Sequence, residues 1–299
     1  MSPEFSMFRM LLIYTLGFVV AVANVRGGGE YGDVWHNAGR LALKQNTLDD
    51  VHYAARYLVA KNYTSADRVV LTGRSNGGFV TLASINQRPE LFGAAIAEVP
   101  VTDLFRFHRF TVGHAWVSEY GNPDSAADFG HLRCLSPLHN VPSNLSGYPA
   151  LLIATADHDD RVVPAHSLKF IAELQYRAEQ MLASSGKHSA IINNNSNNNS
   201  NCLSSRLTEE AQVAADTIGR PTTTPAEDTS YHQPGLVTRL RPFLAIVDTK
   251  AGHGDGKPLQ KVNDELADYL CFLTRVLGLE FRKTLFQNST TDAAAAAAA

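Results

Sequence analysis

Short unbroken apolar runs recur along the chain, separated by stretches with helical spacing. The runs cover 18–24, 68–72, 92–99, 149–155 and 244–248. They do not alternate apolar with polar, so each is read as a strand covered on both faces, the habit of parallel sheets. Between them the period lengthens. Thr47 is the predicted cap of one helix, with Asp49 and Asp50 in its first turn. Val51, Ala54, Ala55 and Leu58 form its apolar face, which ends near Lys61 and Asn62. Further helices are predicted from the turn at Gly77 to Asn86, where Arg88 and Pro89 stop the chain, and over 166–181 and 262–277. Residues 104–148 show neither period. They read as an irregular excursion carrying His108, His114, Trp116 and Tyr120, the kind of long loop that holds specificity. The alternation predicts a doubly wound α/β fold, a mostly parallel sheet with helices on both faces.

The first apolar stretch, 7–23, has two readings. Arg9 near its start and Ala21, Val22 and Ala23 at its end mimic a signal peptide with its cleavage site. It is too short and interrupted for a membrane span. The preferred reading is a short helix, a break at Gly17 and a buried strand over 18–24, because glycine-rich chemistry follows directly. That loop, Arg26 to Gly32 with Gly27, Gly28 and Gly29 in a row, lacks the Lys-Ser/Thr partner of a phosphate loop. Across the 299 residues, 44 % apolar and 18 % charged content are globular values. A net charge of −3 gives no reason to expect nucleic acid or an anionic membrane as partner. Three widely spaced cysteines, Cys134, Cys202 and Cys271, point to a reducing compartment. From 184 to 234 the sequence turns Asn-rich, then rich in Thr, Pro and acidic residues. It is read as a disordered insertion, within which a short helix over 205–218 stays open. The folded domain is then 1–183 with 235–280, and 281–299 is a disordered tail ending in alanines.

The chemistry sits at the carboxyl ends of the apolar runs. Gly73, Arg74, Ser75, Asn76 and Gly77 form Gly-x-Ser-x-Gly between a predicted strand and a predicted helix. Such a turn holds the serine in a strained conformation above the sheet edge, and small neighbours let the chain pass close by. The backbone N–H of Asn76 and the positive helix end then face the place where an oxyanion forms. The plainer reading is a turn capped by a serine. Later loops offer an aspartate, among Asp157, Asp159 and Asp160, and His253 between two glycines. A serine hydroxyl needs an imidazole to take its proton, and the imidazole needs a carboxylate to hold its tautomer. The order Ser, Asp, His is that of the α/β-hydrolases. The other histidines, His158 and His166 included, read as surface or structural. None has a metal-ligand spacing, so no metal site and no cofactor is expected.

Several of these stretches resemble the prolyl oligopeptidase family. They are Asn24 to Gly32, Gly73 to Gly78, Asn86 to Pro89, Gly113 to Trp116, Asp157 to Pro164 and Lys250 to Gly254. The resemblance covers 16–181 and 244–275. It implies an α/β-hydrolase serine endopeptidase that cleaves short peptides on the carboxyl side of proline. Ser75 is similar to the family nucleophile, Asn76 to its backbone oxyanion donor, Asp159 to the triad carboxylate and His253 to the base. Arg161 resembles the arginine that anchors the substrate backbone, a role its forked donors suit. Trp116, Tyr120, Val101 and Val162 match positions lining the proline pocket; read without the resemblance, Tyr120 is a core residue. The resemblance also implies short proline-containing peptides as partners, a monomer and a cytoplasmic location. Two family parts have no counterpart: an N-terminal β-propeller, and a tyrosine that donates a second hydrogen bond to the oxyanion. Both are expected to belong to a segment preceding Met1, which makes the chain a truncated hydrolase domain. Loss of one such donor costs about 2.7–4 kcal/mol in the transition state. The rivals are an impaired or peptide-binding fragment and, lower, the related peptidase that cleaves after Lys or Arg.

Overall fold

The computed structural model describes residues 5–184, 240–254 and 257–282. The chain divides into two units, Met1–Met181 with Leu240–Ala299, and Leu182–Arg239. Of the second, only 182–184 are described, as the end of a helix. The predicted disorder at 184–234 and 281–299 lies outside the described residues, save for Ser184, Phe281 and Arg282.

In chain order the helices are α1 (Met7–Leu16), α2 (Asp33–Asn37), α3 (Gln45–Ala60), α4 (Asn76–Gln87), α5 (Val117–Tyr120), α6 (Ala126–Leu135), α7 (Ala165–Ser184) and α8 (Leu259–Leu277). The strands are β1 (Val70–Arg74), β2 (Ala94–Glu98), β3 (Ala150–Ala156) and β4 (Phe243–Asp248). They form one parallel sheet in the order β1, β2, β3, β4. Alternate residues of the strands serve opposite faces. Ala95, Ala97, Leu151 and Ile153 meet Leu82 and Ile85 of α4, Ala55 of α3 and Phe170 and Leu174 of α7. Ala94, Ile96, Leu152 and Ala154 meet Leu12 and Leu16 of α1 and Tyr269, Phe272 and Leu273 of α8. Both faces are covered, which is why β3 is buried along its whole length and reads as an unbroken apolar run. Each fully buried Leu or Phe contributes about 1.5–3 kcal/mol.

The start of the chain departs from expectation. α1 forms and ends at Gly17 in the left-handed region, φ 71°. Residues 18–24, expected as a buried strand, are not a strand, and 21–24 are exposed. A cavity of about 1390 Å³ lies between this segment and the outer edge of β1. Ladder hydrogen bonds require neighbours about 4.8 Å apart, so an apolar run across such a gap has nothing to pair with. None of the helices among the described residues is long and apolar enough to cross a membrane.

Two further expectations are corrected. Thr47 is not a cap. It lies inside α3, and its hydroxyl donates to the carbonyls of Arg26 at 2.7 Å and Gly39 at 3.1 Å. Asp50 accepts from Arg26 Nε and from the Arg26 backbone N–H, so α3 grips the glycine-rich loop rather than starting independently of it. The stretch 104–148 is not irregular. It carries α5, α6 and three 3-10 turns, organised by a third apolar cluster in which Phe107, Tyr120, Leu132 and Leu135 pack against Leu48 and Phe79.

Candidate active site

Ser75 stands between β1 and α4 with φ 57° and ψ −116°, a conformation costly for any side-chain-bearing residue. Neighbouring groups hold it there. The Ser75 N–H donates to the carbonyl of Glu98 at 2.9 Å, and the Ser75 carbonyl accepts from Phe79 N–H at 3.1 Å. A Cβ on Gly73 would collide with the Gly77 carbonyl and meet Thr81 Oγ1 at 2.8 Å. A Cβ on Gly78 would meet Pro100 Cβ at 2.8 Å and the Glu98 carbonyl at 2.9 Å. Gly73 and Gly78 therefore let β1, α4 and the end of β2 approach closely, whereas a Cβ on Gly77 would meet open space. The Ser75 side chain makes no capping hydrogen bond, which removes the plainer reading of the turn. Asn76 is the first residue of α4, so its N–H has no acceptor within the helix.

Of the three aspartates after β3, Asp157 and Asp160 are exposed and Asp159 is buried. Asp159 Oδ1 accepts from the N–H groups of Arg161 at 2.9 Å and Val162 at 2.8 Å. Its Oδ2 pairs with His253 Nδ1 at 2.7 Å. Burial pushes the carboxyl up, but the hydrogen bond from His253 and the two backbone N–H groups outweigh it and hold Asp159 below its ordinary value. The loops carrying the two residues are joined by backbone bonds, Asp157 N–H to Asp248 at 3.0 Å and His158 N–H to Ala251 at 3.1 Å. The His253 side chain retains 12 % exposure. Asn76 and His253 both line the large cavity. Among the described residues, no hydrogen bond joins the Ser75 hydroxyl to His253.

Val101, Val162, Tyr120 and Trp116 come together in the third apolar cluster. Val101, Tyr120 and Val162 are at most 3 % exposed, so as they stand they are core, and Trp116 alone of the four is half-buried. Trp116 lies nearly parallel to Phe107, with centroids 6.4 Å apart. The Tyr120 hydroxyl donates to Asn76 Oδ1 at 2.7 Å, and burial drives its pKa upward. Beneath it, Lys44 is fully buried, pairs with Glu119 and lies 5.7 Å from the Tyr120 ring centroid. Nothing in the periodicity of the chain marks Lys44. Arg161 is exposed beside Asp159.

The model of the prolyl oligopeptidase family matches residues 3–201. The chain belongs to that family. Over 279 residues it is 37 % identical to a prolyl endopeptidase of Dictyostelium discoideum, a match covering 93 % of this chain and 29 % of that protein. Over 180 residues it is 50 % identical to the dual function macrocyclase-peptidase POPB of Amanita bisporigera, covering 60 % of this chain and 24 % of the relative. Among solved structures it resembles prolyl oligopeptidase B of Galerina marginata bound to a 35mer hydrolysis and macrocyclization substrate. The TM-score is 0.67 and the identity 36 %, over 90 % of this chain and 30 % of that one. The chain thus spans about 30 % of the length of the prolyl oligopeptidases it matches. The α/β-hydrolase fold expected for the family agrees with the parallel, doubly covered sheet.

Proposed function

We propose that the chain carries the hydrolytic centre of a serine endopeptidase that cleaves short peptides after proline. The observation that carries this reading is the Asp159–His253 pair at 2.7 Å, with Gly254 after His253 lying against Arg74, the residue before a serine held at φ 57°. In the proposed reaction Ser75 Oγ attacks the carbonyl carbon after the proline ring, and His253 Nε2 takes its proton. Asp159 keeps the other ring nitrogen protonated and balances the imidazolium. The tetrahedral oxyanion accepts from the Asn76 N–H at the positive end of α4. When the C–N bond breaks, His253 hands its proton to the departing amine. Water, deprotonated by His253, then releases the acyl group from Ser75. Arg161 anchors the peptide backbone, and the proline ring enters beside Trp116, displacing the packing over Val101, Val162 and Tyr120. The reaction asks for no metal and no cofactor. Partners are short proline-containing peptides, with no part for nucleic acid or membrane, handled by a cytoplasmic monomer.

One observation favours a second reading, an idle or peptide-binding site: the Ser75 hydroxyl is not hydrogen-bonded to His253. Turnover of a blocked Gly-Pro fluorogenic peptide, with Ser75→Ala as control, decides between them. Release that vanishes in Ser75→Ala supports the peptidase. No release, and no fluorophosphonate adduct on Ser75 in protein with a folded circular dichroism spectrum, refutes it.

A further inference from the structure

Arg74 occupies the second position of the serine turn, and the reaction outlined above leaves it without a role. It ends β1 and shares the sheet face of Val70, which packs toward α1 and α8. Its register partner across the sheet is Glu98. Burial and the neighbouring Glu265 raise the Glu98 carboxyl, and the cations Arg74 and Lys257 oppose that rise. The carboxylates of α8 are tied in turn. Glu265 accepts from the Tyr269 hydroxyl at 2.8 Å and from Lys257 Nζ at 3.0 Å, and Lys257 Nζ lies 3.2 Å from Asp248 at the end of β4. This polar group lies where the sheet meets the start of α8.

From that base the Arg74 side chain reaches Gly254, the residue directly after His253. A Cβ on Gly254 would lie 2.6 Å from Arg74 Cζ and 2.9 Å from Nη1, with Nη2 closer still. Gly254 has φ 118°, so glycine is required there by backbone conformation, and the guanidinium, the far end of a flexible side chain, lies in the space beside it. The planar head therefore fills the space that a side chain after His253 would take. Among the described residues it makes no hydrogen bond or ion pair, and Arg74 is exposed, so its position rests on the contact with Gly254 and on the field of Glu98.

We infer that Arg74 is a positioning residue: packed on Gly254, it holds the His253 loop in register with the strand that carries Ser75. The inference rests on the peptidase reading for its catalytic consequence, but its geometric content is independent of turnover. The test compares the unmodified chain with Arg74→Met and Arg74→Lys. The first readout is the downfield proton resonance of His253 Nδ1–H, assigned by its loss in His253→Gln. The unmodified chain should show this proton in slow exchange. In Arg74→Met exchange should quicken about tenfold or more while the melting temperature holds, and Arg74→Lys should fall between. The second readout is turnover, in which Arg74→Met should lower kcat about ten- to a hundredfold with KM little changed, as expected for a misplaced base. Unchanged exchange in folded Arg74→Met, or no slowly exchanging His253 proton in the unmodified chain, overturns the inference. Quickened exchange with an unmodified chain that never turns over substrate sustains Arg74 and sinks the peptidase. Normal turnover that Arg74→Met leaves intact does the reverse.

Discussion

Acidification should destabilise this protein through one buried histidine that the proposed reaction does not use. His166, in the first turn of α7, is 1 % exposed. Its Nδ1 accepts from two backbone donors, Thr102 N–H at 3.2 Å and Asp103 N–H at 3.1 Å. A proton on Nδ1 would set three donors against one another in the core. Burial accordingly pushes His166 down from its ordinary 6.5 to about 4, against the pull of Asp103. The folded value lies below the unfolded one, so as pH falls the unfolded chain takes up the proton first. The stability held in the neutral ring is fully present above pH 6.5 and is lost as pH falls toward 4. The gap is worth about 3 kcal/mol in all, of which about 2 kcal/mol disappears between pH 7 and pH 5. Urea unfolding followed by circular dichroism at pH 7, 6 and 5 measures it. His166→Asn is the control, since its Oδ1 falls near the place of Nδ1, accepts the same N–H groups and does not titrate. The unmodified chain should lose about 2 kcal/mol more than His166→Asn over that range at constant m-value. Parallel pH profiles for the two proteins would refute the assignment.

Two other substitutions probe the site. Tyr120→Phe removes the donor to Asn76 Oδ1; it should cost about 0.5–1.5 kcal/mol in urea unfolding and slow fluorophosphonate labelling of Ser75 severalfold. A labelling rate equal to the unmodified chain would show that this bond does not steer the turn. Asp159→Asn keeps an oxygen for the Arg161 and Val162 N–H groups but loses the tautomer control of His253. It should lower kcat by about 10⁴ with the fold intact, and activity within tenfold of the unmodified chain would remove Asp159 from the proposed triad.

The strand, turn and helix units around Ser75 were legible without coordinates, because their rules are local. An apolar run covered on both faces, a glycine that permits close approach and a serine at fixed spacing all act within a few residues. The sheet strands β1 to β4 and the helices α4, α7 and α8 were found for that reason. Asp159 shows where local rules stop. Residue types and spacing left it level with Asp157 and Asp160; the family resemblance pointed to it, and in the fold burial, two backbone donors and His253, 94 positions away, distinguish it from them. Residues 18–24 show the converse. Their composition suits a strand, yet a strand exists only where another backbone lies alongside, and β1 presents a cavity there instead. The helices in 104–148, the burial of Lys44 under Tyr120, the shift of Thr47 from cap to tether and the contact of Arg74 with Gly254 share that origin. Each depends on a partner far along the chain, and hydrophobic burial and hydrogen bonding across the fold are blind to sequence distance.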